Sequence, residues 1–420
     1  MRSKRVGFIL ISAFAFLLGA SDDVTHRGQI FDANSGRAIA GALVTLGEVT
    51  VTTDGSGNFQ IRGAGSELSV RAYGYQRARV DLLRAKEREQ TVRLKPFAPK
   101  ALYLSFYGIG DRTLRELALN LIDATELNAL VIDIKGDRGR IPYKSAVSLA
   151  AQVGAQDIVT IKDVQGLLKL LREKGVYTIA RIVVFKDAPL ASAKSDLAVK
   201  RPDGALWRDR EGLAWTDPFK REVWDYNLAV AEEAARHGFD EIQFDYVRFP
   251  DARGLVFSAP NTEENRVKTI AEFLQTARRR LAPYNVFLSA DLFGYICWNL
   301  DDTGIGQTLD SVAPHVDYLS PMLYPSGFHV GIPGYPNPVA HPYEIVYRSL
   351  ARAKERSGLP PVRFRPWLQA FRDYAFDRRE YGAKEILQQI RAAEDFGSNG
   401  WMLWNPRNEY SADGLRSSGR

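Results

Sequence analysis

Two kinds of hydrophobic patterning divide the chain. Between residues 24 and 95, short segments alternate apolar and polar positions: 28–32, 42–46, 49–53, 59–62, 68–73 and 91–94. Turn residues separate them, among them Asn34-Ser35-Gly36 and Asp54-Gly55-Ser56-Gly57-Asn58. Period-two segments at this spacing predict a small β-sandwich, and the Asp-Gly turn marks a hairpin. Residues 96–100, with Pro96 and Pro99, read as a linker. From 101 to 410 the pattern changes. Apolar runs at 101–106, 129–135, 177–185, 241–247, 286–293, 318–324, 363–371 and 400–404 alternate with helically periodic stretches such as 114–124, 164–174, 221–237 and 263–281. Eight strand–helix units predict an α/β fold, a (β/α)8 TIM barrel. A doubly wound open sheet is the alternative, but no glycine-rich phosphate loop follows the first strand. Residues 411–420 form a C-terminal tail.

Strand periodicity also sorts side chains by face. In the second barrel strand Leu130, Ile132 and Ile134 pack outward, so Asp133 and Lys135 turn in. The third strand places Arg181 inward. In the fourth, Glu241, Gln243 and Asp245 share the inward parity; in the fifth, Ser289 and Asp291 do. The sixth offers Tyr318, Ser320, Met322 and Tyr324, the seventh Arg365, Trp367 and Gln369, and Trp404 ends the eighth. Carboxylates, cations and aromatics thus converge at the C-terminal ends of the strands, where barrel enzymes carry their sites. Burying such charges costs several kcal/mol each unless they are paired. The structural alternative is a salt-bridge lattice of Asp133, Lys135, Arg181 and Asp245, with aromatics that merely fill the core.

Composition narrows the function. Hydrophobic residues make up 45% and charged residues 25%, which fits a globular chain. The net charge is +6, and the basic start of the chain supplies part of it, so no nucleic-acid partner is expected. The single cysteine, Cys297, excludes an intrachain disulfide, and five scattered histidines offer no metal-ligand spacing. Neither a metal nor another cofactor is expected. Residues 1–20 have a basic start, an apolar run from Val6 to Ala20 and small residues at the exit, the pattern of a secretory signal peptide. The run is short for a membrane span, and no span is expected in the mature chain. Export to the periplasm, cell surface or medium of a bacterium favours hydrolysis or binding over chemistry that consumes a nucleotide cofactor. Oligomeric state is not legible.

Two resemblances add to this. GQIFDANSGRAIAGALVTL, TTDGSGNFQIR and VRAYGYQ resemble the carboxypeptidase regulatory-like (transthyretin-like) family, which implies a spacer or attachment module over 24–95 without catalysis of its own. The segment from Gly238 to Pro250, GFDEIQFDYVRFP, resembles the glycoside hydrolase barrel family once filed as a domain of unknown function, DUF4015. ALVIDIK, ARIVVFKD, SADLFG, YLSPMLYP and WMLWN match in the same order. The fourth strand is also similar to chitinase-like barrels, but their acid glutamate is Val247 here. Any acid must come from another strand.

The resemblance implies a polysaccharide or oligosaccharide substrate. Retaining glycosidases hold two carboxyl groups ~5–5.5 Å apart and inverting ones ~6.5–9.5 Å apart. Asp245 and Asp291 end adjacent strands and suit the retaining class, with Asp245 as nucleophile and Asp291 as acid/base. The reverse assignment, with Asp133 involved, stays open. Arg181 and Lys135 would favour the charged form of Asp245. Asp133, Lys135, Arg181, Arg248, Tyr324, Trp367, Gln369 and Trp404 are the candidate substrate-binding residues. A catalytically silent carbohydrate-binding barrel is the competing reading. An esterase or amidase is disfavoured, because no Gly-x-Ser-x-Gly elbow occurs. Cys297 has no partner placed by motif and is expected to be non-catalytic.

Overall fold

A computed structural model describes residues 24–84 and 89–418; the expected signal peptide, 1–20, lies outside the described residues. The N-terminal strands are β1 (Val24–Asp32), β2 (Leu43–Leu46), β3 (Val49–Thr52), β4 (Asn58–Gly63), β5 (Glu67–Arg71), β6 (Ala78–Asp81) and β7 (Glu89–Leu94). They form two sheets, β4-β1-β7 and β3-β2-β5-β6. Along β4 and β7 exposed and buried positions alternate strictly. Ile30, Val44, Phe59, Ile61, Leu68, Val70 and Val92 close a core of their own between the sheets.

Eight parallel strands then close a barrel: β8 (Lys100–Leu104), β9 (Ala129–Lys135), β10 (Tyr177–Val183), β11 (Glu241–Asp245), β12 (Phe287–Phe293), β13 (Tyr318–Met322), β14 (Trp367–Gln369) and β15 (Trp401–Trp404). Their outward positions, such as Leu130, Ile132, Ile242 and Phe244, pack under the helices. Inward ones, among them Tyr103, Val131, Tyr177, Phe287 and Trp367, fill the lumen. The seventh strand is shorter than its apolar run of 363–371. Residues Pro361–Arg363 form a 3₁₀ turn, and Pro366 has no N–H for a ladder. Arg363 instead donates to the carbonyls of Ala313, Val316 and Asp317.

The sandwich sits against the N-terminal ends of the barrel strands. Gly74 N–H donates to Tyr318 Oη at 3.1 Å, and Arg77 reaches Asp240 at 2.9 Å and the Asn285 carbonyl at 3.0 Å. Residues 96–100 are packed rather than free. Phe97 N–H donates to the Gly74 carbonyl, and its own carbonyl accepts from Asn399. Gly400 opens β15 at φ 76°, where an added Cβ would lie 1.8 Å from the Pro99 carbonyl oxygen, so only glycine fits. At the other end of the chain Arg416 pairs with Glu126 and Glu394. The mouth of the barrel is left open on the opposite side.

Candidate active site

Register explains how the site assembles. Arg181 on β10 lies beside Asp133 on β9, and Val183 beside Asp245 on β11. The Arg181 guanidinium, 1% exposed, therefore sits among carboxylates. It donates to Asp133 Oδ1 at 2.6 Å, to Asp137 Oδ1 at 2.7 Å and, through Nε and Nη2, to Asp245 Oδ2 at 2.9 and 2.6 Å. Its guanidinium carbon also lies 4.9 Å from the ring centroid of Trp404 and 5.4 Å from that of Tyr103. Trp404 in turn stacks on Tyr103 at 3.9 Å. Tyr103 Oη and Phe106 N–H both donate to Asp133 Oδ2, at 2.8 and 3.2 Å. Burial pushes Asp133 up to about 6, opposed by Arg181 and helped by the charge of Asp137.

Asp291 on β12 completes the group. Trp367 Nε1 donates to its Oδ1 at 2.7 Å, while the buried Oδ2 has no partner. Burial first, then the neighbouring charge of Asp245, holds this carboxyl well above the usual range. Burial thus favours the protonated form of Asp291, and its free oxygen can carry the proton. The Tyr324 hydroxyl is raised as well, by burial first and then by the charges of Asp291 and Asp245. Asp245 Oδ1 accepts from the N–H of Tyr246 at 2.6 Å. Tyr246 itself stands at φ 47°, a region bulky residues rarely adopt. Backbone strain of this kind concentrates at functional sites. The turn it makes carries Val247 into the apolar core, fully buried.

Three candidates are placed differently from the others. Lys135 does not turn in with Asp133. The β9–β10 register shifts between Arg181 and Ile182, so Lys135 leaves the lumen. Its Nζ pairs with Asp187 at 2.7 Å and donates to Asn227 on helix Arg221–His237 and to the carbonyls of Val183 and Val184. Only Arg181 therefore reaches Asp245. Gln369 is occupied by the loop after β13: its Oε1 accepts from Ser326 N–H, and its Nε2 donates to Ser326 Oγ and the Phe371 carbonyl. Arg248 lies beyond Tyr246 in a neighbouring cleft.

Sequence reasoning missed Tyr103, Asp137 and Tyr246. The inward parity of β8 pointed to Tyr103. Asp137 follows β9 in a loop and carried no periodic signal. A cavity of about 210 Å³ opens above the cluster, lined by Tyr103, Asp133, Asp137, Arg138, Arg140 and Trp404. An aromatic wall, a carboxyl raised to about 6 and a second one whose burial favours its protonated form suit proton transfer to a polar ligand. The carboxylates converge on a guanidinium, and among the described residues no group of three His, Cys, Asp or Glu is placed to hold a metal ion.

Residues 101–410 match the family DUF4015, described as "Putative glycosyl hydrolase domain". No curated protein matches the chain. The PgaB (BpsB) glycoside hydrolase domain from Bordetella bronchiseptica is similar in fold, with a TM-score of 0.54 and 14% identity over 74% of this chain and 95% of that one. A hypothetical protein from Ruminiclostridium thermocellum is 39% identical over 45% of this chain and 96% of its own, with a TM-score of 0.41. The spore cortex-lytic enzyme SleL from Bacillus cereus is 13% identical over 75% of this chain and 72% of its own, with a TM-score of 0.46. The family match runs from the first barrel strand to beyond the last and takes in every residue of the cluster described above, so the protein belongs to the DUF4015 family.

Proposed function

We propose that the protein is an exported glycoside hydrolase that cleaves a polysaccharide or oligosaccharide with retention, using Asp291 as acid/base and Asp245 as nucleophile. The observation that carries this reading is the contrast within the pair: Asp291 is buried with one oxygen unpartnered, an environment that favours its protonated form, while Asp245 receives two bonds from Arg181. Asp291 gives its proton to the departing glycosidic oxygen as an Asp245 oxygen attacks the anomeric carbon. The covalent ester that forms removes the charge of Asp245. That charge was helping to hold the Asp291 proton, so the newly ionised Asp291 is stabilised. Asp291 then takes a proton from water, the hydroxyl attacks the anomeric carbon, and Asp245 leaves as a carboxylate. Negative charge moves between two neighbouring carboxyls within the field of one arginine.

Asp133 and Arg181 would orient sugar hydroxyls, and Trp404, backed by Tyr103, would stack on a sugar face. Tyr324 and Trp367 would wall the acid. The sandwich over 24–95, a carboxypeptidase regulatory-like module, would act as spacer, and residues 1–20 would direct export. A second reading, a catalytically silent sugar-binding barrel, draws support from one observation: Asp291 is 1% exposed, and the open cavity is lined by Asp133 and Asp137 instead.

Incubation with a panel of fluorosugars followed by mass spectrometry separates these. A covalent adduct on Asp245 is expected. An adduct on Asp133 would move the nucleophile there. A glycan that binds without adduct or turnover would leave the silent barrel.

A further inference from the structure

The cations of the barrel mouth differ in one respect. Arg181 holds three carboxylates, and Lys186 pairs with Asp209 at 3.3 Å and Glu211 at 3.0 Å. Arg248 has no carboxylate partner among the described residues. Its Nη1 donates to the Phe249 carbonyl at 3.1 Å, and its guanidinium carbon lies 5.1 Å from the Trp215 ring and 5.0 Å from the Tyr246 ring. Trp215 Nε1 donates to Asp209 at 3.0 Å, which fixes that ring, and the Tyr246 ring meets it edge to face at 5.5 Å. Arg248 is therefore a half-buried guanidinium set beside two rings, with Nε and Nη2 free of any partner among the described residues. It lines a cleft of about 540 Å³ together with Arg208 and Arg210, the acids Asp209, Glu211 and Asp251, and Tyr246, the residue that follows Asp245. A rigid, unpaired guanidinium fork matches a planar carboxylate in two-point contact. Trp207, partly exposed, supplies an aromatic face for a sugar ring in the same cleft, and the buried Trp215 backs the wall. Across the cluster, Arg138 and Arg140 line the other cavity and also lack a carboxylate partner among the described residues.

We propose that the cleft beside Tyr246 is a subsite for an acidic sugar, that Arg248 is the residue that recognises its carboxylate, and that the substrate is a uronate-bearing polysaccharide. This rests on the glycoside hydrolase reading for the cleavage step but not for the binding step. Binding of the full chain is measured at physiological ionic strength against polygalacturonate, polymannuronate and hyaluronate. Methyl-esterified polygalacturonate, dextran and dextran sulfate serve as comparisons. At least one uronate polymer should bind tenfold or more tightly than the ester and dextran. Arg248→Gln should abolish that preference, whereas Arg391→Gln, which removes the same charge from an exposed helix position, should keep it. Equal loss in both variants, equal binding to the neutral polymers, or no binding to any uronate polymer would overturn the proposal. Arg248-dependent binding of dextran sulfate alone would also overturn it, because the anion would then be a sulfate ester. Cleavage of a neutral glycan without preference for acidic ones removes the subsite and leaves the hydrolase standing. Arg248-dependent uronate binding without cleavage does the reverse.

Discussion

The barrel lumen holds two buried arginine–carboxylate centres, and they are built on opposite principles. Near the floor, Arg365 meets Glu241 through Nη1, at 2.8 and 2.6 Å to the two oxygens. Its remaining donors go to the carbonyl and side chain of Asn399, and Glu241 also accepts from Ser289 Oγ and Tyr177 Oη. One cation faces one anion, both partners are almost wholly buried, and every side-chain nitrogen and oxygen of the pair has a hydrogen-bond partner. Near the mouth, one arginine serves Asp133, Asp137 and Asp245, and Asp291 stands beside them with an oxygen unpaired. The lower centre is balanced and saturated, as a structural element requires. The upper one carries more carboxyl groups than cations, and burial favours the protonated forms of Asp133 and Asp291, which makes a proton available for chemistry.

The largest effects should come from the upper centre. Asp245→Ala is expected to abolish glycosyl-enzyme formation and to lower kcat/KM by ~10⁴-fold, about 5.5 kcal/mol in barrier. Asp291→Ala should slow substrates with poor leaving groups far more than activated ones, because acid assistance matters least when the leaving group departs unaided. Azide should partly rescue one variant, and the anomer of its product reports which carboxyl was removed. Neither substitution should cost much stability in urea unfolding. Wild-type turnover in both would erase the distinction between the centres.

The lower centre should respond the opposite way. Arg365→Met leaves Glu241 buried without its cation and should cost about 3–5 kcal/mol of folding stability, with the activity of the folded fraction retained. Replacing both partners, Glu241→Leu with Arg365→Met, should recover most of that loss. A larger effect on kcat than on unfolding would show that the floor takes part in the chemistry.

A pH measurement sharpens the contrast further. Asp133 stands at 3.8 when unperturbed and at about 6 in the fold. Between those values the unfolded chain has lost the proton that the folded chain still holds. Stability attributable to Asp133 is therefore full below about 3.8 and is lost as pH rises through about 6. The difference in unfolding free energy between wild type and Asp133→Asn should fall across that window. A flat difference would show that Arg181 fully compensates the burial of Asp133.

The smallest effect concerns the lone thiol. Burial pushes Cys297 up to about 12, so no thiolate forms near neutrality. Cys297→Ala should change kcat/KM by less than about tenfold, ~1.4 kcal/mol. A greater loss would place the loop after β12 in the site.

Much of the upper centre was legible one strand at a time. Period-two alternation assigns Asp133, Arg181, Asp245, Asp291 and Trp404 to one face each, and strand order makes neighbours of β11 and β12. The same rule failed for Lys135, because parity survives only while the ladder is regular, and the register shift at Arg181 and Ile182 breaks it. It was silent on Asp137, which a loop delivers.

The sequence by itself determined the two patterns of folding, the eight strand–helix units and, Lys135 apart, which charged strand residues face inward, since each follows from local periodicity and chain order. Only the tertiary structure decided how those charges are shared. Pairing depends on register across strands far apart in sequence: Arg365 meets Glu241, and Arg181 gathers three aspartates. It also depends on burial, which turns Asp291 from an ordinary carboxylate into a held acid. Composition shows that the charges are present, but their energies depend on distance and on exclusion of water, and those are set when the barrel closes.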